Sequence, residues 1–214
     1  SMKILITAGP TREFIDPIRF LSNRSTGKMG FAIADAAQQR GHTVTLIAGP
    51  VTLPTPAGVT RIDVVSARDM LAAVTEQLPR HEVLIMSAAV ADWRPAQTAD
   101  VKLKKTAMSA TLQLEPNPDI LKTIAPMKES RLFVGFAAET GDPRAEAQRK
   151  LKAKGLDLIV ANDVTLPGAG FAVDTNRVQF LTATQCTPLP LMSKYDVGIA
   201  LITTLESMYT SHRP

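Results

Sequence analysis

The sequence has very little cysteine and histidine, and this scarcity excludes several kinds of site. Among 214 residues there is one cysteine, Cys186, which cannot form an intramolecular disulfide framework or a cysteine-based zinc site. A single cysteine is typical of proteins kept in a reducing compartment, so we expect a cytoplasmic protein. The three histidines are scattered along the chain without a pair at metal-ligand spacing.

Long hydrophobic runs are also missing. No stretch approaches the ~18 consecutive apolar residues of a membrane span, and the first residues do not have the pattern of a secretory signal. Hydrophobic residues make up 45% of the chain and charged residues 21%, which is ordinary for a globular protein. The net charge of +4 suits an anionic partner, but by itself it does not choose between nucleic acid and a phosphorylated small molecule. No membrane association is expected.

Strand-like and helix-like segments alternate along the chain. Strands are predicted over residues 3–8, 43–48, 60–65, 82–87, 131–136, 156–161 and 177–181, and those over 3–8 and 82–87 are expected to be buried. Helices are predicted over residues 27–40, 117–124, 142–155 and 194–208, and a further helix begins at the capping-box pattern Ser66–Asp69. This alternation predicts one α/β domain over residues 1–214, with a mostly parallel sheet, helices on both faces and a loop-rich flap near residues 92–116. Ligands of such sheets bind at the carboxyl ends of the strands.

The two common glycine-rich nucleotide motifs are absent. The first strand is followed by Gly9 and Pro10 where a G-x-G-x-x-G motif would bring the backbone close to a pyrophosphate. The second strand ends at Ala48 and Gly49, without an acidic residue for a ribose. No P-loop motif occurs either. A nicotinamide- or flavin-dependent oxidoreductase is therefore disfavoured, although it stays open as an alternative.

Polar residues instead gather just after the predicted strands. Asn23, Ser25, Gly27 and Gly30 lie where the first helix begins, among Arg19, Arg24 and Lys28. A helix start presents free N–H groups and suits an anion, although an ordinary helix cap with solvated basic residues fits the same pattern. The run of lysines after Asp92 is more typical of a solvated loop, and a nucleic-acid interpretation is weak because Trp93 is the one aromatic residue nearby.

Residues later in the chain can likewise be interpreted either as ligand-binding or as structural. Phe136 ends a strand, where it could line a base pocket or pack in the core. Lys150 and Lys154 share one helix face and suit a polyphosphate, unless Glu146 pairs with Lys150. Asn162 ends the next strand, where it could cap the turn or face a ligand.

Seven strings together resemble the phosphopantothenoylcysteine synthetase family. They occur in the family's order and span nearly the whole chain, over residues 7–13, 15–30, 88–93, 102–105, 117–121, 135–140 and 161–164. The resemblance implies a Rossmann-like α/β fold, a homodimer with shared active sites, and a ligase that joins 4′-phosphopantothenate to L-cysteine. In many bacteria this synthetase is fused to a phosphopantothenoylcysteine decarboxylase, which is the expected partner domain or protein. A non-catalytic nucleotide-binding module is the second alternative.

The resemblance also implies a two-step reaction with CTP and Mg²⁺, as in the bacterial type. The substrate carboxylate attacks the α-phosphorus of CTP and releases pyrophosphate, giving an acyl-cytidylate. The amine of cysteine then attacks the activated carbonyl and releases CMP. The metal ligands are unknown, and Asp92 is a candidate.

The resemblance assigns a role to individual residues. Asn23 contacts the acyl intermediate, and Lys102 acts from a loop that closes over the site; both are expected to be catalytic. Phosphopantothenate binding is expected of Arg19 across the dimer interface, Asn23, Ala88, Ala89 and Asp92. Nucleotide binding is expected of Gly9, Ser25, Gly27, Gly30, Ser87, Ala88, Asp92, Lys102, Pro118, Asp119, Ile120, Leu121, Phe136, Lys150, Lys154 and Asn162.

Overall fold

Eight strands form the central sheet of the computed structural model, and six neighbouring strands run parallel. Across the sheet the order is β13 (Cys186–Pro188), β12 (Val178–Leu181), β10 (Leu158–Asp163), β9 (Leu132–Glu139), β6 (Val83–Met86), β1 (Lys3–Ala8), β4 (Thr43–Ala48) and β5 (Thr60–Asp63). The two antiparallel pairings are those of β12 with β10 and with β13. The predicted mostly parallel sheet is confirmed.

Within the residues that the structure describes, five helices cover the sheet on both faces. They are α1 (Lys28–Gln39), α2 (Ala67–Gln77), α3 (Ile120–Ile124), α4 (Arg144–Ala153) and α5 (Lys194–His212), and short 3₁₀ turns span Leu78–Arg80, Lys105–Ala107 and Ala125–Met127. Side chains alternate along each strand, so Ile4 and Ile6 pack towards α1 and α5, whereas Leu5 packs towards α2, α3 and α4. Helices on both faces are therefore confirmed.

The structure describes residues 1–107, 109–142 and 144–212. Residue 108 of the predicted flap, residue 143 of a predicted helix and the last two residues of the predicted domain lie outside the described residues. None of the described helices is long and apolar enough to cross a bilayer.

Local sequence explains how the longer helices begin and end. α1 buries Phe31, Ile33 and Ala34 and ends before Gly41, which adopts a left-handed φ of 88°. α2 begins with the predicted capping box: the Ser66 side chain accepts from the Asp69 amide, and the Asp69 side chain accepts from the Ser66 amide.

Three pairs of short strands lie outside the central sheet. β2 (Glu13–Phe14) pairs with β3 (Phe20–Leu21), β7 (Trp93–Pro95) with β8 (Leu114–Pro116), and β11 (Thr175–Asn176) with β14 (Met192–Ser193). The loop-rich flap predicted near 92–116 has a two-stranded base, formed by β7 and β8. Strands of two or three residues are too short to show a hydrophobic period.

Polar side chains form a network at the amino ends of the strands. Glu206 of α5 binds Arg40 through an ion pair of 2.7 Å and binds His42 at 2.6 Å. The Tyr209 hydroxyl donates to Glu82 close by. This network, which we call the amino-end network, ties the last helix to the beginning of the sheet.

Candidate functional site

Two adjoining cavities lie at the carboxyl ends of the parallel strands. The first cavity, of about 320 Å³, surrounds the start of α1, and the second, of about 230 Å³, lies beside α3 and α4. Both are lined by Ala88, Val90, Asp92, Phe136 and Lys150. Ligands of parallel α/β sheets bind at this edge, so the two cavities together form the candidate site.

Eleven of the predicted site residues line the first cavity: Gly9, Ser25, Gly27, Gly30, Ser87, Ala88, Ala89, Asp92, Phe136, Lys150 and Asn162. The second cavity is lined by Pro118, Asp119, Ile120, Leu121 and Lys154, together with Ala88, Asp92, Phe136 and Lys150 from the first group. The fold therefore brings together stretches that are far apart in the sequence.

The start of α1 forms the floor of the first cavity. Gly27, with a left-handed φ of 80°, directly precedes the helix and has no side chain to cap it, while the Lys28 amide of the first turn donates to the Thr26 hydroxyl at 3.3 Å. The first N–H groups of a helix have no partner within the helix, and they carry a partial positive charge. This end of the cavity is therefore suited to a phosphate or carboxylate.

Gly30 allows α1 to approach the sheet closely. A Cβ atom at this position would lie 2.4 Å from Ala8 Cβ and 2.5 Å from Ser87 Oγ. The first turn of the helix therefore packs directly against the ends of β1 and β6. Any larger residue at position 30 would push the helix N–H groups away from the cavity floor.

Asn23 bridges the two walls of the first cavity. Its side-chain N–H donates to the Ala89 carbonyl at 2.7 Å, and its side-chain oxygen accepts from the Ser25 amide at 3.0 Å. The residue is exposed and lies beside the cavity, outside the residues that line it. The amide carries a second N–H besides the one bonded to Ala89.

Lys150 lies where the two cavities meet. Its ammonium donates to the Phe136 carbonyl at 3.1 Å, which fixes the side chain against the end of β9. Glu146, the alternative partner considered above, forms an ion pair with Arg149. The Lys150 charge therefore faces both cavities from one fixed position.

Lys154 pairs with an acid inside the second cavity. Its ammonium forms a close ion pair with Asp119, which also accepts from the Lys122 amide at 3.1 Å and caps α3. Burial alone would raise the pKa of Asp119, but the hydrogen bond from Lys154 and that from the Lys122 amide lower it below its ordinary value. Asp119 therefore stays ionised at neutral pH. Its negative charge partly offsets the positive charge of Lys154 in the second cavity.

Asp92 is the candidate metal ligand, and it lines both cavities. Within the described part of the chain, no three acids, histidines or cysteines come together to hold a metal ion. Mg²⁺ is commonly held by one or two carboxylates together with substrate phosphates and water. One carboxylate facing an anion-binding cavity fits that arrangement, in which the ligand supplies most of the oxygens.

Arg19 and Lys102 lie outside the described lining of both cavities. Arg19 donates to the Leu103 carbonyl, and the buried Asp16 accepts from the Leu103 amide at 3.1 Å. Burial would raise the pKa of Asp16, but the hydrogen bonds from Leu103, Ile18 and Arg19 amides lower it. Asp16 and Arg19 thus hold both main-chain groups of Leu103, and Lys102 is exposed directly beside this anchor.

Several cavity residues had no assigned role in the sequence. Thr26, Lys28, Met29, Gly170, Phe171, Asn176 and Lys194 line the first cavity. Phe171 and Asn176 lie in the stretch after β10, where glycine and polar residues are typical of a ligand-binding loop. The sequence around Lys194 does not indicate a site residue, because a lysine that begins a helix is usually solvated. It is buried here, and its burial, together with the charge of Lys28, lowers its pKa to about 8, against the opposing effect of Asp174.

Comparison with known proteins agrees with this geometry. The family model described as DNA/pantothenate metabolism flavoprotein C-terminal domain matches residues 1–209. The coenzyme A biosynthesis bifunctional protein CoaBC of Vibrio vulnificus strain CMCP6 is 49% identical over 208 residues, which cover 96% of this chain and 52% of that protein. CoaBC of Bacillus subtilis strain 168 is 48% identical over 207 residues, which cover 96% and 51%. The chain thus spans about half the length of these relatives.

A solved structure extends the match to the fold. A crystal structure of the C-terminal domain of CoaBC is 40% identical and superposes with a TM-score of 0.85, covering 99% of this chain and 97% of that domain. These findings confirm the resemblance that the seven motifs indicated. The chain belongs to the DNA/pantothenate metabolism flavoprotein C-terminal domain family.

Proposed function

We propose that this chain is a ligase of coenzyme A biosynthesis that joins 4′-phosphopantothenate to L-cysteine at the expense of CTP. The observation that carries the proposal is the first cavity, in which the start of α1, whose N-cap Gly27 has no capping side chain, adjoins Lys150 at the junction with the second cavity. Such a site can hold two anionic reactants next to each other. The CoaBC relatives are named as coenzyme A biosynthesis proteins, which supports the assignment to this pathway.

In the proposed first step the carboxylate of phosphopantothenate attacks the α-phosphorus of CTP, and pyrophosphate leaves. Both reactants are negatively charged, so positive groups must offset their repulsion. The α1 N-terminus and Lys150 supply fixed positive charge from two sides of the first cavity. Mg²⁺ would be held by the phosphates and Asp92, and it would neutralise further charge on the nucleotide.

In the proposed second step the cysteine amine attacks the acyl carbonyl, and CMP leaves. Asn23 lies beside the first cavity with its side chain fixed by Ala89 and Ser25, so its second N–H can donate to the oxygen that becomes negative. The flap with Lys102 would close over the site and exclude water, which would otherwise hydrolyse the acyl-cytidylate. The attacking group is an amine of the substrate, so the enzyme needs no thiol of its own.

The assembly that we propose is a homodimer with shared active sites. The hairpin of β2 and β3 and the flap are joined by the bond from the Ala99 amide to the Ile15 carbonyl. Large apolar side chains are exposed on these two elements, including Ile18 (61%), Trp93 (53%) and Leu114 (42%). An Ile18→Glu variant is expected to be monomeric in analytical ultracentrifugation. A wild-type chain that is monomeric at assay concentration would contradict the proposed homodimer.

The activity is proposed to lie in the cytoplasm, in keeping with the single cysteine. A phosphopantothenoylcysteine decarboxylase, as a domain or a separate protein, is the expected partner because it would consume the product.

A direct assay tests the proposed function. The chain is incubated with CTP, Mg²⁺, phosphopantothenate and cysteine, and the expected products are phosphopantothenoylcysteine, CMP and pyrophosphate in equal amounts. A parallel reaction with ATP tests the choice of nucleotide. Absence of product with either nucleotide would overturn the proposal and would favour the oxidoreductase or the non-catalytic module.

A matched pair of lysine variants ties the activity to the candidate site. Lys150→Met removes the charge between the two cavities and is expected to lower kcat/KM by at least about 100-fold. Lys128→Met removes a lysine that pairs with Asp157 at 3.0 Å beside the amino end of β9, away from both cavities. This control is expected to cost stability with little change in kcat/KM.

A further inference from the structure

The side chain of Lys194 is surrounded by main-chain oxygens of one loop segment. Only 4% of the residue is exposed, and its ammonium donates to the carbonyls of Gly170 at 2.7 Å, Phe171 at 3.3 Å and Val173. An ammonium has three N–H groups, so these contacts use its full donor capacity. Lys194 therefore acts on this segment rather than on a ligand.

The same segment is also held by the start of α1. The Thr26 hydroxyl donates to the Phe171 carbonyl at 2.6 Å, and Lys28 donates to the Ala172 carbonyl at 2.7 Å and to Asp174 at 3.0 Å. Four consecutive carbonyls, at positions 170–173, thus accept hydrogen bonds from a lysine or a hydroxyl. We call residues 170–173 the carbonyl segment.

The position of the carbonyl segment matters for the charge of the first cavity. Gly170 and Phe171 line that cavity, together with the α1 start that suits an anion. Carbonyl oxygens carry partial negative charge, and oxygens turned towards the cavity at this place would repel the anion. The two lysines satisfy these oxygens and add positive charge to the same wall.

We infer that Lys194 is a positioning residue of the anion site, which gathers the carbonyl segment against the start of α1 and turns its oxygens away from the bound phosphates. The inference rests on the proposed function in one respect, which is that the ligand is a polyphosphate. Its burial next to Lys28 supports the same conclusion, because a lysine is rarely buried without a structural task.

Binding of sodium tripolyphosphate, measured by isothermal titration calorimetry, tests this inference without any need for ligase activity. Lys194→Met is expected to raise the Kd of tripolyphosphate by about tenfold or more, because a charged donor is lost and the carbonyls of Gly170 and Val173 lose their hydrogen bond to it. Lys128→Met serves as the matched control. It is expected to lower the melting temperature while leaving the Kd within about twofold of the wild-type value.

A second variant covers the case in which Lys194→Met does not fold. Lys194→Gln keeps two N–H donors but removes the charge, and it is expected to raise the Kd by a smaller factor. A folded variant of Lys194 that binds tripolyphosphate as tightly as the wild type would overturn the inference, and so would an equal loss in Lys128→Met. If tripolyphosphate binding depends on Lys194 but the wild type makes no product, the proposed function alone is refuted.

Discussion

The Arg19 guanidinium donates a hydrogen bond of 2.8 Å to the main-chain carbonyl of Leu103, which lies 84 residues further along the chain. The bond joins the hairpin of β2 and β3 to the flap, directly beside Lys102. The family resemblance expects Arg19 to bind phosphopantothenate across a dimer interface. The contact with Leu103 gives the same residue a second task within its own chain, and the two tasks have different kinetic signatures.

Arg19→Ala is expected to loosen the flap and admit water to the acyl-cytidylate. CMP should then form in excess of phosphopantothenoylcysteine, whereas the wild type should give a ratio near one. If Arg19 also binds phosphopantothenate, the KM for that substrate should rise by about tenfold as well. Arg24→Ala, in the same exposed stretch, is the control. An Arg19→Ala enzyme with a CMP-to-product ratio of about one and an unchanged KM would refute both tasks.

Asn23→Ala is expected to separate the two steps of the reaction. Pyrophosphate release should continue, because the first step does not need the side-chain N–H, while amide formation should fall by about 100-fold. Quenched-flow measurement of pyrophosphate and of phosphopantothenoylcysteine in the same samples gives both rates. Ser22→Ala, which removes a hydrogen bond to the Thr11 carbonyl in the same loop, controls for local disturbance. Equal loss of both steps would exclude the proposed role.

Lys102→Gln is expected to lower turnover by at least about tenfold without changing the melting temperature, because the side chain is exposed in the flap. Lys104→Gln provides a matched control on the other side of Leu103, and a smaller effect is expected from it. The measurements are kcat with saturating substrates and thermal unfolding of each variant. A large drop in melting temperature for Lys102→Gln would show a structural lysine instead.

His81 should make the folded state sensitive to acid. It is buried between the Gln77 carbonyl, which accepts from Nδ1 at 2.7 Å, and the Thr45 hydroxyl, which lies 2.9 Å from Nε2. Burial lowers its pKa below the ordinary value of 6.5. In the unfolded chain the ring takes up a proton below about pH 6.5, whereas in the folded chain it does so only at lower pH.

The stability that His81 provides as a neutral ring is therefore complete above about pH 6.5 and declines as the pH falls below it, by at most about 1.4 kcal/mol per pH unit. Urea unfolding at about pH 7.5 and pH 5.5 should show a larger loss of unfolding free energy for the wild type than for His81→Gln. Parallel pH dependences in the two proteins would contradict this assignment.

Much of the fold could be predicted from the sequence because its long elements carry strong patterns. The buried strands of four to eight residues and the helices α1, α2 and α5 follow hydrophobic period and capping residues. The shorter strands could not be predicted in this way. β2 and β3, with two residues each, depend on contacts with the flap, such as the bond from Thr98 to the Phe14 carbonyl.

The site could be predicted where glycine and polar residues follow strands. Its glycines, however, match only part of the G-x-G-x-x-G motif. The hairpin of β2 and β3 separates Gly9 from Gly27, so a motif that needs three glycines in six residues is absent. Gly27 and Gly30 nevertheless keep the spacing of the last two glycines, and Gly30 performs the close helix–strand packing. The contacts of Lys194 could not be predicted, because they join segments that are distant in sequence and depend on burial.

The amino-end network has a consequence for engineering the enzyme. The ion pairs of Glu206 and the bond between Tyr209 and Glu82 lie at the opposite edge of the sheet from both cavities. Substitutions that stabilise proteins often reduce activity when they stiffen a functional site. In this fold, stability and activity can be improved separately. Substitutions at the amino ends of the strands can raise the thermostability, while the residues around the two cavities keep the mobility that turnover requires.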